Sequence, residues 1–176
     1  MKDQKPGIFM FKLAIAILAL SGMIAFAATN EKIGRALNIL RPDVKVQISG
    51  VVQRADKYFS VEKVKAVNAG EILDWNIRSV NKGNAAAENY RVVGRIPEGT
   101  SFVADSAKSS QPSRVTYSID GGKEFSLKPM MDMKQADGSV KKVPAPVSMY
   151  THLKYEWKAP LAVDEKIDAA YRVRVK

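Results

Sequence analysis

The chain has 176 residues, of which 46% are hydrophobic and 26% charged, and this composition is typical of one globular domain. It has no cysteine and one histidine, which excludes a disulfide framework, a Cys-ligated metal centre, a thiol nucleophile and a His-rich metal site. Lysine and arginine outnumber aspartate and glutamate by 28 to 18, so the formal charge is +10. We therefore expect a basic protein that is not an enzyme and needs no cofactor.

The N-terminus has the pattern of an export signal. Three lysines and one aspartate in residues 1–12 precede an uncharged apolar segment, Leu13 to Ala28. The sequence Ala25-Phe26-Ala27 places small residues around one large residue, as a signal peptidase requires. We expect a signal peptide over residues 1–27 and a mature protein that is periplasmic, extracellular or on the cell surface.

Two other interpretations of this segment stay open. Residues 8–28 carry Lys12 as their only charge and are long enough to span a bilayer as a retained anchor. A leader cut after Gly7 would resemble that of type IV pilins, but those carry Glu where this chain has Lys12. The Ser21-Gly22 break and the Ala-Phe-Ala end favour cleavage.

Residues 28–42 form a predicted N-terminal arm. Ile33, Leu37 and Leu40 follow one another at helical spacing, and Pro42 ends the pattern. The spacing predicts a short amphipathic helix. Such an arm would pack against the domain, act as a linker, or join neighbouring copies.

Beyond Pro42 the hydrophobic period changes to two, which indicates strands. Asp120-Gly121-Gly122 lies between two alternating runs and predicts a hairpin. Lys128 to Pro146 contains three prolines and is expected to be irregular. The predicted strands are centred on Val44–Ile48, Val61–Val67, Leu73–Ile77, Tyr90–Gly94, Ser101–Ala104, Val115–Ile119, Leu153–Trp157 and Tyr171–Val175. About seven or eight short strands without βαβ alternation predict a single antiparallel β-sandwich over residues 43–176.

One stretch, Gly70 to Ala107, resembles a known family pattern. It is similar to the conserved repeat domain of unknown function eleven found in bacterial and archaeal surface proteins. The matching motifs are Gly70-Glu71, the strand Trp75 to Val80, Asn81-Lys82-Gly83, Ala85 to Ala87, Pro97-Glu98-Gly99 and Ser101-Phe102-Val103. The resemblance covers roughly Val44 to Lys176 and implies an immunoglobulin-like, all-β structural or adhesive module. Two departures are the single copy and the longer segment 128–148.

No catalytic motif is evident, since G-x-S-x-G, H-E-x-x-H and the Gly-Lys-Ser/Thr phosphate loop are all missing from the sequence. Ser118 to Phe125 is similar to the Asp box of sialidase-like propellers, whose Asp and glycines shape a turn. Soft ligands for Cu(I) would come from Met130, Met131, Met133, Met149 and His152, but their irregular spacing is more typical of packing. An internal Lys–Asn amide would draw on Lys63, Lys65, Asn76 and Glu88.

The positive charge suggests a binding surface. The residues predicted to form this basic face are Lys134, Lys141, Lys142, Arg172, Arg174 and Lys176. Such a face would attract anionic glycans, lipid headgroups or other envelope polymers. The alternative is that the charges guard strand edges against aggregation. Tyr155, Trp157 and Tyr171 fit a core better than a base-stacking platform, so nucleic acid is not expected.

The sequence therefore predicts an exported, non-enzymatic structural or binding module of the cell envelope or cell surface. A second hypothesis is a subunit of an extracellular filament or surface assembly. Its copies would self-associate through the arm or by addition of a strand to an open sheet edge.

Overall fold

The computed structural model describes residues 40–176, and nearly all regular structure in this range is β-strand. The predicted signal peptide and residues 28–39 of the predicted arm lie outside it. Within residues 40–176, no helix is long and apolar enough to cross a membrane. The elements are β1 (Val44–Arg54), β2 (Lys57–Ser60), β3 (Ile72–Asn81), β4 (Arg91–Arg95), β5 (Thr100–Phe102), β6 (Lys108–Ser109), β7 (Ser113–Ser118), β8 (Met130–Lys134), β9 (Val140–Pro144), a 3₁₀ turn (Val147–Met149), β10 (His152–Trp157) and β11 (Lys166–Val175).

The strands form two sheets of unequal size and a separate hairpin, and every pairing is antiparallel. The larger sheet has the order β2-β1-β3-β11-β5, with β6 also on β11. The smaller sheet has the order β4-β10-β7, and β8 pairs with β9. The predicted all-β antiparallel sandwich is confirmed. The described residues contain eleven strands rather than seven or eight, because β2, β6 and the hairpin were not predicted.

The core lies between the inner faces of the two sheets. Leu153, Tyr155 and Trp157 alternate along β10 and are 3% exposed or less, and Tyr171 and Val173 do the same along β11. The Tyr155 hydroxyl donates to the Ala170 carbonyl at 2.7 Å, and that of Tyr171 to the Arg95 carbonyl at 2.5 Å. These aromatic residues belong to the core, as predicted.

Two sequence predictions were wrong. Val61–Val67 is an irregular loop instead of a strand. Its three valines, Val61, Val64 and Val67, follow one another at a spacing of three residues and pack against the core. Lys128–Pro146 is not irregular, because it contains the hairpin β8–β9. Pro129 and Pro146 lie outside its strands and Pro144 is the last residue of β9. The turn is closed by Asp137, whose carboxylate accepts hydrogen bonds from the Ser139 N–H and hydroxyl at 2.9 and 2.6 Å.

Candidate functional site

Three of the predicted basic residues lie on the β8–β9 hairpin. Lys142 is directly opposite Asp132, Lys134 is opposite Val140, and Lys141 is opposite Met133. Since side chains alternate between the faces of a strand, Lys134 and Lys142 share one face of the hairpin and Lys141 lies on the other. The three lysines of the hairpin therefore do not form one basic face, because Lys141 is separated from Lys134 and Lys142.

The other three predicted residues lie at the end of β11. Arg172 and Arg174 are exposed on the outer face of the large sheet, as their alternation with buried Tyr171 and Val173 predicts. Arg172 Nε lies 3.9 Å from Asp74 Oδ1, and Arg174 donates to the Gly70 carbonyl at 3.3 Å.

The position of β11 bears on the edge-guarding alternative. β11 is an interior strand between β3 and β5, so its arginines do not guard a strand edge. Lys176 follows it, and its N–H donates to the Gly99 carbonyl. The six predicted residues thus form two groups, one on the hairpin and one on the large sheet.

The segment similar to an Asp box shapes a turn. The Asp120 carboxylate accepts hydrogen bonds from the Ser118 hydroxyl at 2.6 Å and from the N–H groups of Lys123 and Glu124 at 3.0 and 3.1 Å. The hydrogen bond from the Ser118 hydroxyl is the main cause that lowers the pKa of Asp120, and the bond from the Glu124 N–H is the next largest. Beyond the turn, the predicted return strand is only an isolated bridge between Tyr117 and Ser126.

His152 lies beside this turn on β10. A ring nitrogen of His152 is 3.1 Å from the Thr151 hydroxyl. Partial burial is the main cause that lowers the pKa of His152, and the charge of Arg95 lowers it further, whereas the charge of Asp120 acts in the opposite direction. Met130, Met131 and Met133 lie on β8, whereas Met149 ends the 3₁₀ turn. Across residues 40–176, no three His, Asp or Glu side chains are grouped to hold a metal ion.

The residues considered for an internal amide are not placed for it. Lys63 and Lys65 are exposed in the 61–71 loop, and Glu88 is exposed beyond β3. Asn76 faces outward from β3, because its neighbours Trp75 and Ile77 face the core. An amide of this kind needs a buried lysine, so the hypothesis is wrong.

A surface that the sequence did not predict lies on the inner face of β1. Gly50 and Val52 are buried on this face, yet Val46 and Ile48, which point the same way, are 46% and 50% exposed. The smaller sheet ends at β4, whose Gly94 packs on Tyr171 and Ile77 from β11 and β3. β1 extends past that edge, and no strand of residues 40–176 covers the part of β1 that carries Val46 and Ile48.

The edge strand β4 borders this uncovered face. Within residues 40–176, β4 pairs with β10 alone. The Tyr90 carbonyl accepts from Trp157 N–H, and Ile96 N–H donates to the Thr151 carbonyl, so the even-numbered residues bond to β10. In an antiparallel ladder the alternate residues then direct their backbone groups away from the partner. The N–H and C=O of Val93 consequently face the open edge.

A groove of about 460 Å³ connects β1 with the end of β4. Trp75 forms its floor, and its ring lies so close to Gly50 that an added Cβ would come within 3.0 Å. The indole N–H of Trp75 is buried, and no atom of residues 40–176 accepts a hydrogen bond from it. The groove is lined by Ile48, Trp75, Arg95, Pro97, Glu98 and Tyr171. We call this site the β4 groove.

The outer face of β4 is basic. Arg91 and Arg95 flank Val93 on it, and all three side chains are exposed. Arg95 Nη2 lies 3.0 Å from Glu98 Oε1, and both side chains of this pair are largely exposed. In the described part of the chain, Arg91 forms no ion pair. The β4 groove therefore combines an apolar floor, an open backbone edge and a positive rim.

Sequence signals for the β4 groove were weak. The alternation of Val44, Val46 and Ile48 predicts a strand with one buried face, and Arg91 and Arg95 read as ordinary solvent-facing charges. Whether a strand face with the apolar pattern of buried residues is covered in the folded protein depends on which strand of the other sheet lies above it. A single sequence does not contain that information.

Comparisons with protein-family models, with curated proteins and with solved structures found no match. The resemblance to the conserved repeat domain of unknown function eleven stays a prediction. Since a fold alone does not define a function, the function has to be inferred from the geometry of the β4 groove and of the hairpin.

Proposed function

We propose that this protein is an exported, non-enzymatic binding module of the cell envelope, and that it takes up an extended segment of a partner as an added strand. The observation that carries the proposal is the open edge of β4 beside the uncovered inner face of β1. Strand addition draws affinity from main-chain hydrogen bonds and specificity from alternate side chains. The β4 groove offers both kinds of contact.

Two contributions would stabilise the added strand. Val93 offers a backbone donor and acceptor, and each hydrogen bond contributes a net of about 1 kcal/mol. Val46 and Ile48 are about half exposed, so covering them contributes roughly 1 kcal/mol each. The hydrogen-bond and burial contributions together are small, and the entropic cost of ordering the partner reduces them further. We therefore expect the interaction to be reversible.

The export part of the proposal rests on the charged start, the apolar segment and the Ala25-Phe26-Ala27 end of the sequence. A tag at Lys176 and fractionation of the native host test it. We expect a species that begins at Ala28 in the exported fraction. A full-length species in the cytoplasm would contradict export.

The strand-addition part is tested with a library of synthetic peptides of about nine residues, long enough for one strand. Peptides that bind the wild-type protein are tested on Val93→Pro, which removes the edge N–H while leaving the bonds of β4 to β10 in place. Val93→Thr keeps that N–H and is the matched control. We expect binding to be lost only with proline, and equal binding to all three proteins would refute the proposal.

A second candidate function is favoured by the hairpin. Lys134 and Lys142 share a face with Met130 and Val140, which are 46% and 66% exposed. Long basic side chains beside apolar groups suit contact with an anionic polymer or lipid surface. Retention on dextran sulfate tests it: Lys134→Glu with Lys142→Glu should abolish retention, and Arg172→Glu with Arg174→Glu should not.

A further inference from the structure

We propose that the strand received by the β4 groove belongs to a different protein, is apolar on its inward face, and carries acidic residues on its outward face. This inference rests on the proposed function and names the class of partner. Three observations carry it: the exposed pair on β1, the two arginines on β4, and the mismatch that β4 would have with a second copy of itself.

The inward face of the added strand is fixed by the β4 groove. A strand beside β4 continues the smaller sheet, so every second side chain points at the uncovered half of β1. Those side chains meet Val46, Ile48 and the ring of Trp75. Apolar residues, β-branched or aromatic, are the ones that such a surface stabilises.

The outward face is fixed by charge. Side chains of an added strand that project outward lie directly beside Arg91, Val93 and Arg95. The Arg95–Glu98 pair is solvent-exposed on both sides and therefore contributes little, so an incoming carboxylate can replace it. On β10, Lys154 lies opposite Val93 and Glu156 opposite Arg91, and the two form an ion pair at 3.2 Å that adds no net charge, so the positive charge of the rim comes from the arginines of β4. Carboxylates at two outward positions complement this rim.

The same charges disfavour a second copy of β4. Two antiparallel β4 strands centred on Val93 place Arg91 of each copy opposite Arg95 of the other. Like charges directly opposite each other destabilise a strand pair, and edge charges of this kind prevent self-pairing. A dimer built by β4–β4 pairing is thus the less favoured use of this edge, and because the pairing is symmetric it would close at two copies.

Three labelled peptides test the inference. They share the same apolar inward residues and carry glutamate, serine or lysine at the outward positions. Their dissociation constants are measured by fluorescence polarisation at low and at physiological salt. Because exposed pairs contribute modestly, we expect the glutamate peptide to bind about threefold to tenfold more tightly than the serine peptide, with a difference that shrinks as salt rises.

Charge reversal supplies the decisive comparison. Arg91→Glu with Arg95→Glu should invert the preference, so that the lysine peptide binds best. Arg172→Glu with Arg174→Glu makes the same change in net charge on the outer face of the other sheet and should leave the preference unaltered. If the double reversal does not fold, Arg91→Gln and Arg95→Gln singly should each reduce the preference for glutamate.

The outcomes separate the two proposals. Equal binding of the three peptides, abolished by Val93→Pro, would overturn the acidic partner and leave strand addition standing. No binding by any peptide, or binding that survives Val93→Pro, would overturn strand addition itself. Self-association that increases with concentration and vanishes in Val93→Pro would show that the partner is a second copy and overturn the inference.

Discussion

The guanidinium of Arg54 holds the carboxylate of Glu71 through two hydrogen bonds, from Nε at 2.7 Å and from Nη2 at 2.9 Å. A second bond from the same Nη2 reaches the Ala66 carbonyl at 2.8 Å. Asn68 N–H also donates to Glu71, at 2.7 Å. These contacts tie the end of β1 to both the middle and the end of the 61–71 loop, whose valines pack against the core.

The first prediction is a loss of stability in acid that depends on Glu71. The Arg54 hydrogen bonds, then the Asn68 N–H, lower the pKa of Glu71 from 4.5 to about 2. Its contribution is therefore complete above about pH 4.5 and is lost as the pH falls towards 2. We expect Glu71→Gln to unfold at a lower temperature at neutral pH and to show a shallower loss in acid.

The control for this prediction is Glu98→Gln, since Glu98 belongs to a largely exposed pair. It should leave the thermal unfolding curve close to that of the wild type throughout the titration. Melting curves from neutral pH down to pH of about 2 supply the measurement. Parallel curves for wild type and Glu71→Gln would contradict the prediction.

The second prediction concerns Asn81, which is fully buried and uses both ends of its amide. Oδ1 accepts from the N–H groups of Asp43 and Gly83, and Nδ2 donates to the carbonyls of Ala85 and Leu161. Asn81→Ala removes all four hydrogen bonds, and the N–H groups of Asp43 and Gly83 and the carbonyl of Ala85 lose the amide as their partner, so we expect a loss of about 3 kcal/mol.

Chemical denaturation measures the effect of Asn81→Ala. The neighbouring Lys82→Ala is its control, because Lys82 makes only an exposed ion pair with Asp164. A change within about 0.5 kcal/mol is expected for that control. Similar losses for the two variants would count against the role of the buried amide.

The third prediction is that β4 tolerates no side chain at Gly94. A Cβ there would lie 2.7 Å from Tyr171 Cε1 and 3.1 Å from Leu153 Cδ2. Gly94→Ala must displace these core residues, and we expect a loss of about 1–3 kcal/mol in the free energy of unfolding. Val93→Ala, one residue away on the exposed face, should cost little, and an equal loss would argue against the close packing.

The fourth prediction concerns the Tyr171 hydroxyl, which donates to the Arg95 carbonyl across the core. Burial raises the pKa of Tyr171 from 10.0 to about 12. The contribution is complete below pH 10 and is lost as the pH rises towards 12. Tyr171→Phe should lose about 1 kcal/mol at neutral pH and decline less steeply in alkali. An unchanged alkaline slope in denaturation titrations would contradict this.

Much of the fold follows from local pattern. The alternation in β3, β10 and β11 identified their inward residues. In these strands each face keeps one environment along its length, so the side chains that alternate in sequence also alternate between the core side and the outer side. The Val61–Val67 loop was mistaken for a strand because three apolar residues in seven also fit a short strand. Pro129 and Pro144 suggested irregularity, whereas they bound a hairpin and leave its ladder intact.

The candidate site was less accessible. Lys134, Lys141 and Lys142 are close in sequence, but the hairpin register places Lys141 on the opposite face. Val46 and Ile48 carry the pattern of buried residues, and only the offset between the sheets leaves them exposed. Register and offset are tertiary properties, set by contacts between distant segments.

The arginines on β4 also have a consequence for the isolated protein. An edge strand with unpaired backbone groups next to exposed apolar residues is a hazard for aggregation. β4 is only five residues long, and Arg91 and Arg95 occupy two of them. We therefore expect the two arginines proposed to select the partner to oppose aggregation of the protein alone as well, and neutralising both should lower its solubility before any partner is added.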